Sequence, residues 1–385
     1  MNPIFYRKER IIVGKINRIV LSGGGTGGHI YPALSVYKRL KAENPDLQAL
    51  YIGTEKGLEA TLIPKEGIEF KAIKIQGLKR SLSLDNVKTG YELLMSMRRA
   101  QKMIEAFKPD VVLGTGGYVC APVLLAAAFL SYPTMIHEQN SVAGITNKLL
   151  ARFVSKIGIC FDDVRSDFKN YEDKIVLTGN PRGQEVVNTP NLPNILQNQF
   201  NLDNNLPTVL VFGGSRGAPA INQAAINEIS AFNHENYQVI IATGSEHYDQ
   251  LVAEINHKMI EAPSNVRVVP YIENMPEVFK AIDLVVCRSG ATTLTELMAL
   301  GLPSILIPSP YVTNNHQEMN AKALVSKQAA LMILEKNLNK DVLKVYIDGL
   351  MKGKKNLSLM SNHAKELGII DATDRIVREL EAIAD

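Results

Sequence analysis

Four glycine turns carry residue types that can hold a polyanion: "GGGTGGH" (23–29), "GTGGY" (114–118), "GGSRGA" (213–218) and "RSGATTLTE" (288–296). Each follows a short β-branched run and opens a helical pattern. The first turn of a helix leaves backbone N–H groups unpaired, and its dipole adds roughly half a positive charge there. One such turn is weak evidence, because glycines between strand and helix often serve tight geometry alone. Four of them, two in each half of the chain, point to a cleft lined for polyanionic ligands. His29 closes the first turn. An imidazole titrates near neutral pH, and a helix N-terminus favours its neutral, proton-accepting form, so His29 is the candidate general base, with a structural cap or a phosphate donor as the other readings.

Gly23, Gly25 and Gly28 formally satisfy GxGxxG. A nicotinamide enzyme would also need a ribose-binding acid at the end of the next strand, and "LQALYIGTEKG" reaches Gly53 and Thr54 before its first acid, Glu55. No glycine turn ends in Gly-Lys-Ser/Thr, so a Walker A site is absent. No Asp-x-Asp occurs either, so the chain lacks the usual metal-carboxylate grip on a nucleotide diphosphate. Amides and helix ends are left to neutralise such a group, and neither a metal nor another cofactor is expected. Cys120, Cys160 and Cys287 form no CxxC and suit a reducing compartment.

These turns need strands and helices to aim them. "RIVLS" (18–22), "LQALYIG" (47–53), "DVVLGTG" (110–116), "PTMIHEQ" (133–139), "KIGICF" (156–161) and "KIVLTGN" (174–180) read as strands alternating with helical segments. The Asn- and Pro-rich stretch 188–207 reads as loop and boundary. The alternation then restarts with "TVLVFGG" (208–214), "YQVIIATG" (237–244), "NVRVVPYI" (265–272), "LVVCRSG" (284–290), "PSILIPSP" (303–310) and "ALMILEK" (330–336). Two doubly wound parallel-sheet α/β domains follow, with strand C-terminal ends facing a shared cleft. The expected division is an extension without assignable role (1–17), a first domain (18–187) and a second (188–370), with a last helix at about 371–385 packing back on the first.

The formal net charge of +3 hides an asymmetry: residues 1–185 hold 26 Lys+Arg against 18 Asp+Glu, and the remainder 16 against 21. A basic half suits nucleic acid, an anionic membrane or an anionic substrate alike. The longest apolar run, Cys120 to Leu130, is shorter than the roughly 20 residues of a membrane span. The stretch "KAIKIQGLKRSLSLDN" (71–86) interleaves Lys71, Lys74, Lys79 and Arg80 with Ile75, Leu78, Leu82 and Leu84. Such a segment can lie among anionic headgroups, or it can be a charged loop whose leucines face the core.

Taken in order, "GGGTGGHIYPAL", "VLGTGGYVCAP", "HEQNSVAGITNKLLAR", "GNPR", "GGSRGA", "CRSGATTLTE", "GLPSILIPSP" and "NNHQEMNA" resemble the motif set of the MurG family. These are the UDP-N-acetylglucosamine:undecaprenyl-pyrophosphoryl-MurNAc-pentapeptide N-acetylglucosaminyltransferases of bacterial cell-wall synthesis. The resemblance runs from about Arg18 to "DATDRIVREL". It implies a GT-B fold and inverting transfer of GlcNAc from UDP-GlcNAc to the C4 hydroxyl of MurNAc in lipid I, giving lipid II. It also implies Ser215 on the donor diphosphate, the Ala291, Thr292 and Thr293 amides on the α-phosphate with Leu294 and Thr295 in the same motif, and Glu296 on the ribose hydroxyls. Ile272 would meet the uracil through its backbone, and Gln317 would bind the GlcNAc hydroxyls beside His316. From the first domain, Thr26, Gly27 and Gly28 would reach the donor and Asn140 the sugar. Gly24, Gly25, Gly116, Gly117 and Tyr118 would face the acceptor. Arg182 is suited to diphosphate charge, though the family often places its arginine one residue later, as Gly-Asn-Pro-x-Arg; Arg216 reads as solvated surface. For His137 and Glu138, structural hydrogen bonding stands beside catalysis. The resemblance further implies a peripheral protein on the anionic cytoplasmic membrane leaflet, with lipid I and other cell-wall synthesis proteins as partners and no nucleic acid. A lipid glucosyltransferase acting on diacylglycerol, a nicotinamide oxidoreductase and a non-catalytic nucleotide-sugar binder are the competing readings.

Overall fold

The structure, a computed structural model, describes residues 15–75, 84–214, 216–257, 264–339 and 341–384, and of 84–91 and 234 the backbone alone. Seven strands form a first sheet: β1 (Arg18–Ser22), β2 (Gln48–Thr54), β3 (Glu69–Ile73), β4 (Val111–Gly114), β5 (Thr134–Glu138), β6 (Lys156–Ile159) and β7 (Ile175–Leu177). Six form a second: β8 (Thr208–Phe212), β9 (Gln238–Ala242), β10 (Val266–Val269), β11 (Leu284–Cys287), β12 (Ser304–Leu306) and β13 (Leu331–Met332). The spatial orders are β3-β2-β1-β4-β5-β6-β7 and β10-β9-β8-β11-β12-β13. Every strand pair in them is parallel.

Parallel strands need crossover helices, which cover both faces and make the strands apolar throughout. Alternate side chains therefore enter different cores. In β1, Val20 packs with Leu50, Val112 and Ile136 on one face, while Ile19 and Leu21 pack with Tyr51, Leu113 and Met135 on the other. In β8, Leu210 and Phe212 face Val285 and Cys287, and Val209 and Val211 face Ile241 and Val286. The last helix, Ala372–Ala384, places Ile376, Val377 and Leu380 in the core that holds Ile19 and Leu21.

Three sequence expectations change. The strand β3 went unread because its "EFKAI" overlaps the basic stretch, and as an edge strand it keeps Lys71 beside Glu69 at 3.0 Å. Ile75, expected at a lipid surface, is 8% exposed and packs with Ile52 and Ala100 instead. Lys74 stays exposed, Leu78, Lys79, Arg80 and Leu82 lie outside the described residues, and Leu84 is described only as the backbone start of the helix Leu84–Phe107. The supposed loop 188–207 contains a helix, Ile195–Phe200, flanked by left-handed Asn194 and Asn201, whose Ile195, Leu196 and Phe200 join the core of the second sheet.

In each sheet the strand order reverses once, between β1 and β4 and between β8 and β11. At such a switch point the loops leaving the two strands diverge and open a crevice. The four glycine turns are the loops that leave these four strands. No helix among the described residues is long and apolar enough to cross a membrane.

Candidate active site

The first glycine turn is held from below by side chains distant in sequence. Tyr51 Oη donates to Gly23 O at 2.7 Å, and Thr115 Oγ1 donates to His29 O at 2.5 Å. Glu59, fully buried, accepts from Thr54 N at 3.0 Å, Thr54 Oγ1 at 2.7 Å and Gly25 N at 3.3 Å. Gly24 N donates to Gly116 O at 3.2 Å. The amides of Gly24 and Gly25, expected to face the acceptor, are here bonded inside the protein. The helix Gly27–Glu43 has Thr26 as its N-cap without a side-chain cap bond, so the amides at its start are the ones left for a ligand. Glu59 is an acid just beyond β2, but its carboxylate supports the loop rather than facing a ribose.

His29 Nδ1 lies 2.9 Å from Gly24 O. A carbonyl only accepts, so Nδ1 carries the proton and Nε2 presents a lone pair. Gly116 makes room for the ring: a Cβ there would sit 2.8 Å from His29 Cδ2 and 3.0 Å from Nε2, at φ +115°. Gly117, at φ +86°, approaches Gly24 O so closely that a Cβ would meet it at 2.5 Å. A cavity of about 240 Å³ opens here, lined by His29, Gly116, Gly117, Asn140, Asn147 and, from the second sheet's side, Thr313. Tyr118, at the end of the turn 114–118, is 39% exposed.

The loop after β5 is shaped by Glu138, 2% exposed. Its Oε1 accepts from Asn140 N at 3.0 Å and its Oε2 from Gly144 N at 2.9 Å and Asn147 Nδ2 at 2.8 Å. His137 is fully buried, with Nε2 2.9 Å from Gly179 O, and burial pushes its imidazole down to about 4. Both side chains are bonded within the protein, Glu138 to the loop that follows it and His137 to the Gly179 carbonyl.

On the other side of the cleft the helix Ala291–Leu300 begins after Gly290, and Leu294 is the first residue whose amide returns to Gly290 O. Ala291, Thr292 and Thr293 therefore keep first-turn amides without an intrahelical partner. Thr292 Oγ1 would lie 3.7 Å from a Cβ on Gly28, so the glycine turns of the two sheets meet across the cleft. Leu294 is fully buried in the core and Thr295 Oγ1 donates to Ala291 O at 2.9 Å, so both side chains turn away from the cleft. Ile272 is 2% exposed and packs in the core of the second sheet. Gln317 Oε1 accepts from Ser309 N at 2.9 Å, which leaves Nε2 as its free end. Ser215 lies outside the described residues.

Two of the polar contacts that join the halves involve expected site residues, and neither pairing follows from the sequence. Asn320, fully buried, accepts from Ser141 N and Oγ at 2.8 Å each and donates to Ser289 O at 3.2 Å and Asn140 Oδ1 at 3.3 Å. Arg182 donates to Glu296 Oε1 through Nε at 3.0 Å and through its terminal nitrogen at 2.7 Å. The expected diphosphate ligand and the expected ribose ligand therefore hold each other. Among the described residues no group of three or more His, Cys, Asp or Glu could hold a metal ion.

Two doubly wound domains with glycine turns at facing switch points make a GT-B fold. The profile of the glycosyltransferase family 28 N-terminal domain matches residues 19–159, and that of the family 28 C-terminal domain matches 208–376. The UDP-N-acetylglucosamine–N-acetylmuramyl-(pentapeptide) pyrophosphoryl-undecaprenol N-acetylglucosamine transferase of Bacillus cytotoxicus is 49% identical over 95% of this chain and 99% of that protein. Its Lactiplantibacillus plantarum counterpart is equally similar, 49% over 95% and 99%. The crystal structure of Acinetobacter baumannii MurG superposes with a TM-score of 0.77 at 28% identity, over 95% of this chain and 99% of that one. The chain belongs to glycosyltransferase family 28 and, within it, to the MurG family.

Gly116 tests the placing of His29. Gly116→Ala should lower kcat at least about tenfold, because the added methyl must displace the imidazole and the left-handed φ costs roughly 1 kcal/mol or more; steady-state turnover at saturating substrates reads it, and an unchanged kcat would show that the ring is not where the reaction needs it.

Proposed function

We propose that this chain transfers GlcNAc from UDP-GlcNAc to the C4 hydroxyl of MurNAc in lipid I, with inversion, and so forms lipid II. The observation that carries the reading is the near-complete match to curated transferases of that name, 49% identical over 95% of the chain. The geometry agrees with it. UDP-GlcNAc would lie along the second sheet's switch point, its phosphates on the Ala291, Thr292 and Thr293 amides, its uracil on the Ile272 backbone, its ribose on Glu296 and its sugar near Gln317 Nε2 and Asn140. Thr26, Gly27 and Gly28 would close on it from the other side.

The acceptor sugar would enter the cavity between His29 and Thr313. His29 Nε2 would take the proton of the attacking hydroxyl as the new glycosidic bond forms and the bond to the UDP oxygen breaks. Backbone amides would carry the charge that develops on the leaving diphosphate. Purified protein with labelled UDP-GlcNAc and a lipid I analogue should release UDP only when acceptor is present, and should do so in the presence of chelator; release without acceptor, or none with it, contradicts the reading. His29→Ala should cost about 10² to 10⁴-fold in kcat at saturating acceptor. Near-wild-type turnover would remove His29 from the mechanism.

A second apolar surface, apart from the segment 71–86, suits contact with a membrane. Ile145 (61% exposed) lines the acceptor cavity, Leu149 (49%) follows four residues on, and Phe153 (37%) follows four after that. Phe153 meets Phe129 (60% exposed) at 5.9 Å between ring centroids, with the Arg152 guanidinium 5.8 Å from the Phe153 ring. A continuous apolar row thus runs from the cavity outward, as a polyprenyl chain leaving a bilayer requires, beside cations suited to anionic headgroups. Phe129→Ser with Phe153→Ser should reduce cosedimentation with phosphatidylglycerol vesicles several-fold and leave the binding of soluble UDP-GlcNAc intact; unchanged sedimentation would place the membrane contact elsewhere.

A further inference from the structure

The ion pair between Arg182 and Glu296 joins three helices. Arg182 lies at the start of Pro181–Asn188, Glu296 in Ala291–Leu300, and the guanidinium sits 5.8 Å from the ring of Tyr31 in Gly27–Glu43. Its remaining nitrogen donates to Glu185 Oε2 at 2.6 Å, and Glu185 Oε1 accepts from Ser35 Oγ of the same Gly27–Glu43 helix. A guanidinium fixed on three sides is not free to follow a diphosphate. Both of its bonds to Glu296 fall on Oε1, and Oε2 receives none from the described residues. A carboxylate held by one oxygen can still accept from a vicinal diol with the other.

We propose that Arg182 is a positioning residue for the donor: it fixes the Glu296 carboxylate in place and keeps it ionised, so that Oε2 is always ready for the ribose hydroxyls. This rests on the reading of Glu296 as the ribose acceptor. The need for such a partner follows from burial, since the Glu296 side chain is 8% exposed and a buried carboxylate prefers its proton. Burial holds the Glu296 carboxyl above the usual carboxylate range, Arg182 works against that, and Glu185 adds to it. The other titratable neighbour, the Cys287 thiol of β11, is pushed up by burial and by Glu296 and stays uncharged. Without Arg182, Glu296 takes up a proton at higher pH, so donor affinity is lost as pH falls.

The test is calorimetric titration of UDP-GlcNAc into the full chain between about pH 6 and about pH 8.5. The intact nucleotide sugar is used because both of its phosphates are diesters and do not titrate in that range, whereas the terminal phosphate of UDP does. Wild type should bind with nearly constant affinity. Arg182→Gln, which retains an amide donor for folding, should weaken as pH falls, by up to about tenfold per pH unit once Glu296 is protonated. Arg182→Lys should restore the flat profile, and Glu296→Gln should bind about tenfold or more weakly at every pH. A flat Arg182→Gln profile with weak Glu296→Gln overturns the role of Arg182 alone, as does an Arg182→Lys profile as steep as that of Arg182→Gln. Wild-type affinity in Glu296→Gln overturns the ribose reading beneath it. If Arg182→Gln does not fold, the Arg182→Gln/Glu296→Gln pair, which leaves no unpaired buried charge, reports whether the packing tolerates the change, and the slope of Arg182→Lys then decides.

Discussion

A parallel sheet delivers all of its strand C-terminal ends to one edge, and right-handed crossovers force the loops at the order reversal to diverge. That constraint, met twice in one chain, organises the site. The glycine turns after β1, β4, β8 and β11 leave the four strands that flank the two reversals. When the sheets face each other, the helix N-termini behind those turns point into one cleft. The field in the cleft then comes from unpaired amides, so a diphosphate can be held and released there without a dense cluster of cations.

The two sides of the cleft use that constraint differently. On the first sheet the deeper glycine amides are taken up in building the turn, Gly25 by Glu59 and Gly24 by Gly116, and the product is a rigid support for one imidazole. Gly24 O fixes the His29 tautomer, and the missing Cβ of Gly116 leaves the ring its place. On the second sheet the first-turn amides of Ala291–Leu300 stay available among the described residues, while Leu294 anchors the helix to the core. Asn320 of the second half meets the first through three hydrogen bonds, two from Ser141 and one to Asn140, and a fourth to Ser289 holds it within its own half.

What could be read from the sequence was local in character. Glycine turns after apolar strands, the helix starting at Ala291 and the place of His29 at the cleft all follow from residue type and short spacing. The parts that escaped were long-range or ambiguous in pattern. Glu59 meets Gly25 across 34 positions, Arg182 meets Glu296 across 114, and Asn320 meets Ser141 across 179. No spacing rule connects such pairs. The strand β3 was hidden because an edge strand carries charges such as Lys71, and Ile75 looked like a lipid contact because its run mixes apolar and basic residues whichever way it faces. Helical position also decides function in a way a motif cannot: Leu294 and Thr295 belong to the same run as Thr293 and yet turn inward.

The central claim is that the donor diphosphate rests on backbone amides of the second sheet's switch point. Amide hydrogen exchange with and without saturating UDP-GlcNAc tests it most directly, because free first-turn amides exchange readily and become protected once they bond a phosphate. The account predicts new protection at Ala291, Thr292 and Thr293, with a smaller effect at Thr26 to Gly28. Protection confined to the first glycine turn, with 291–293 unchanged, would contradict it.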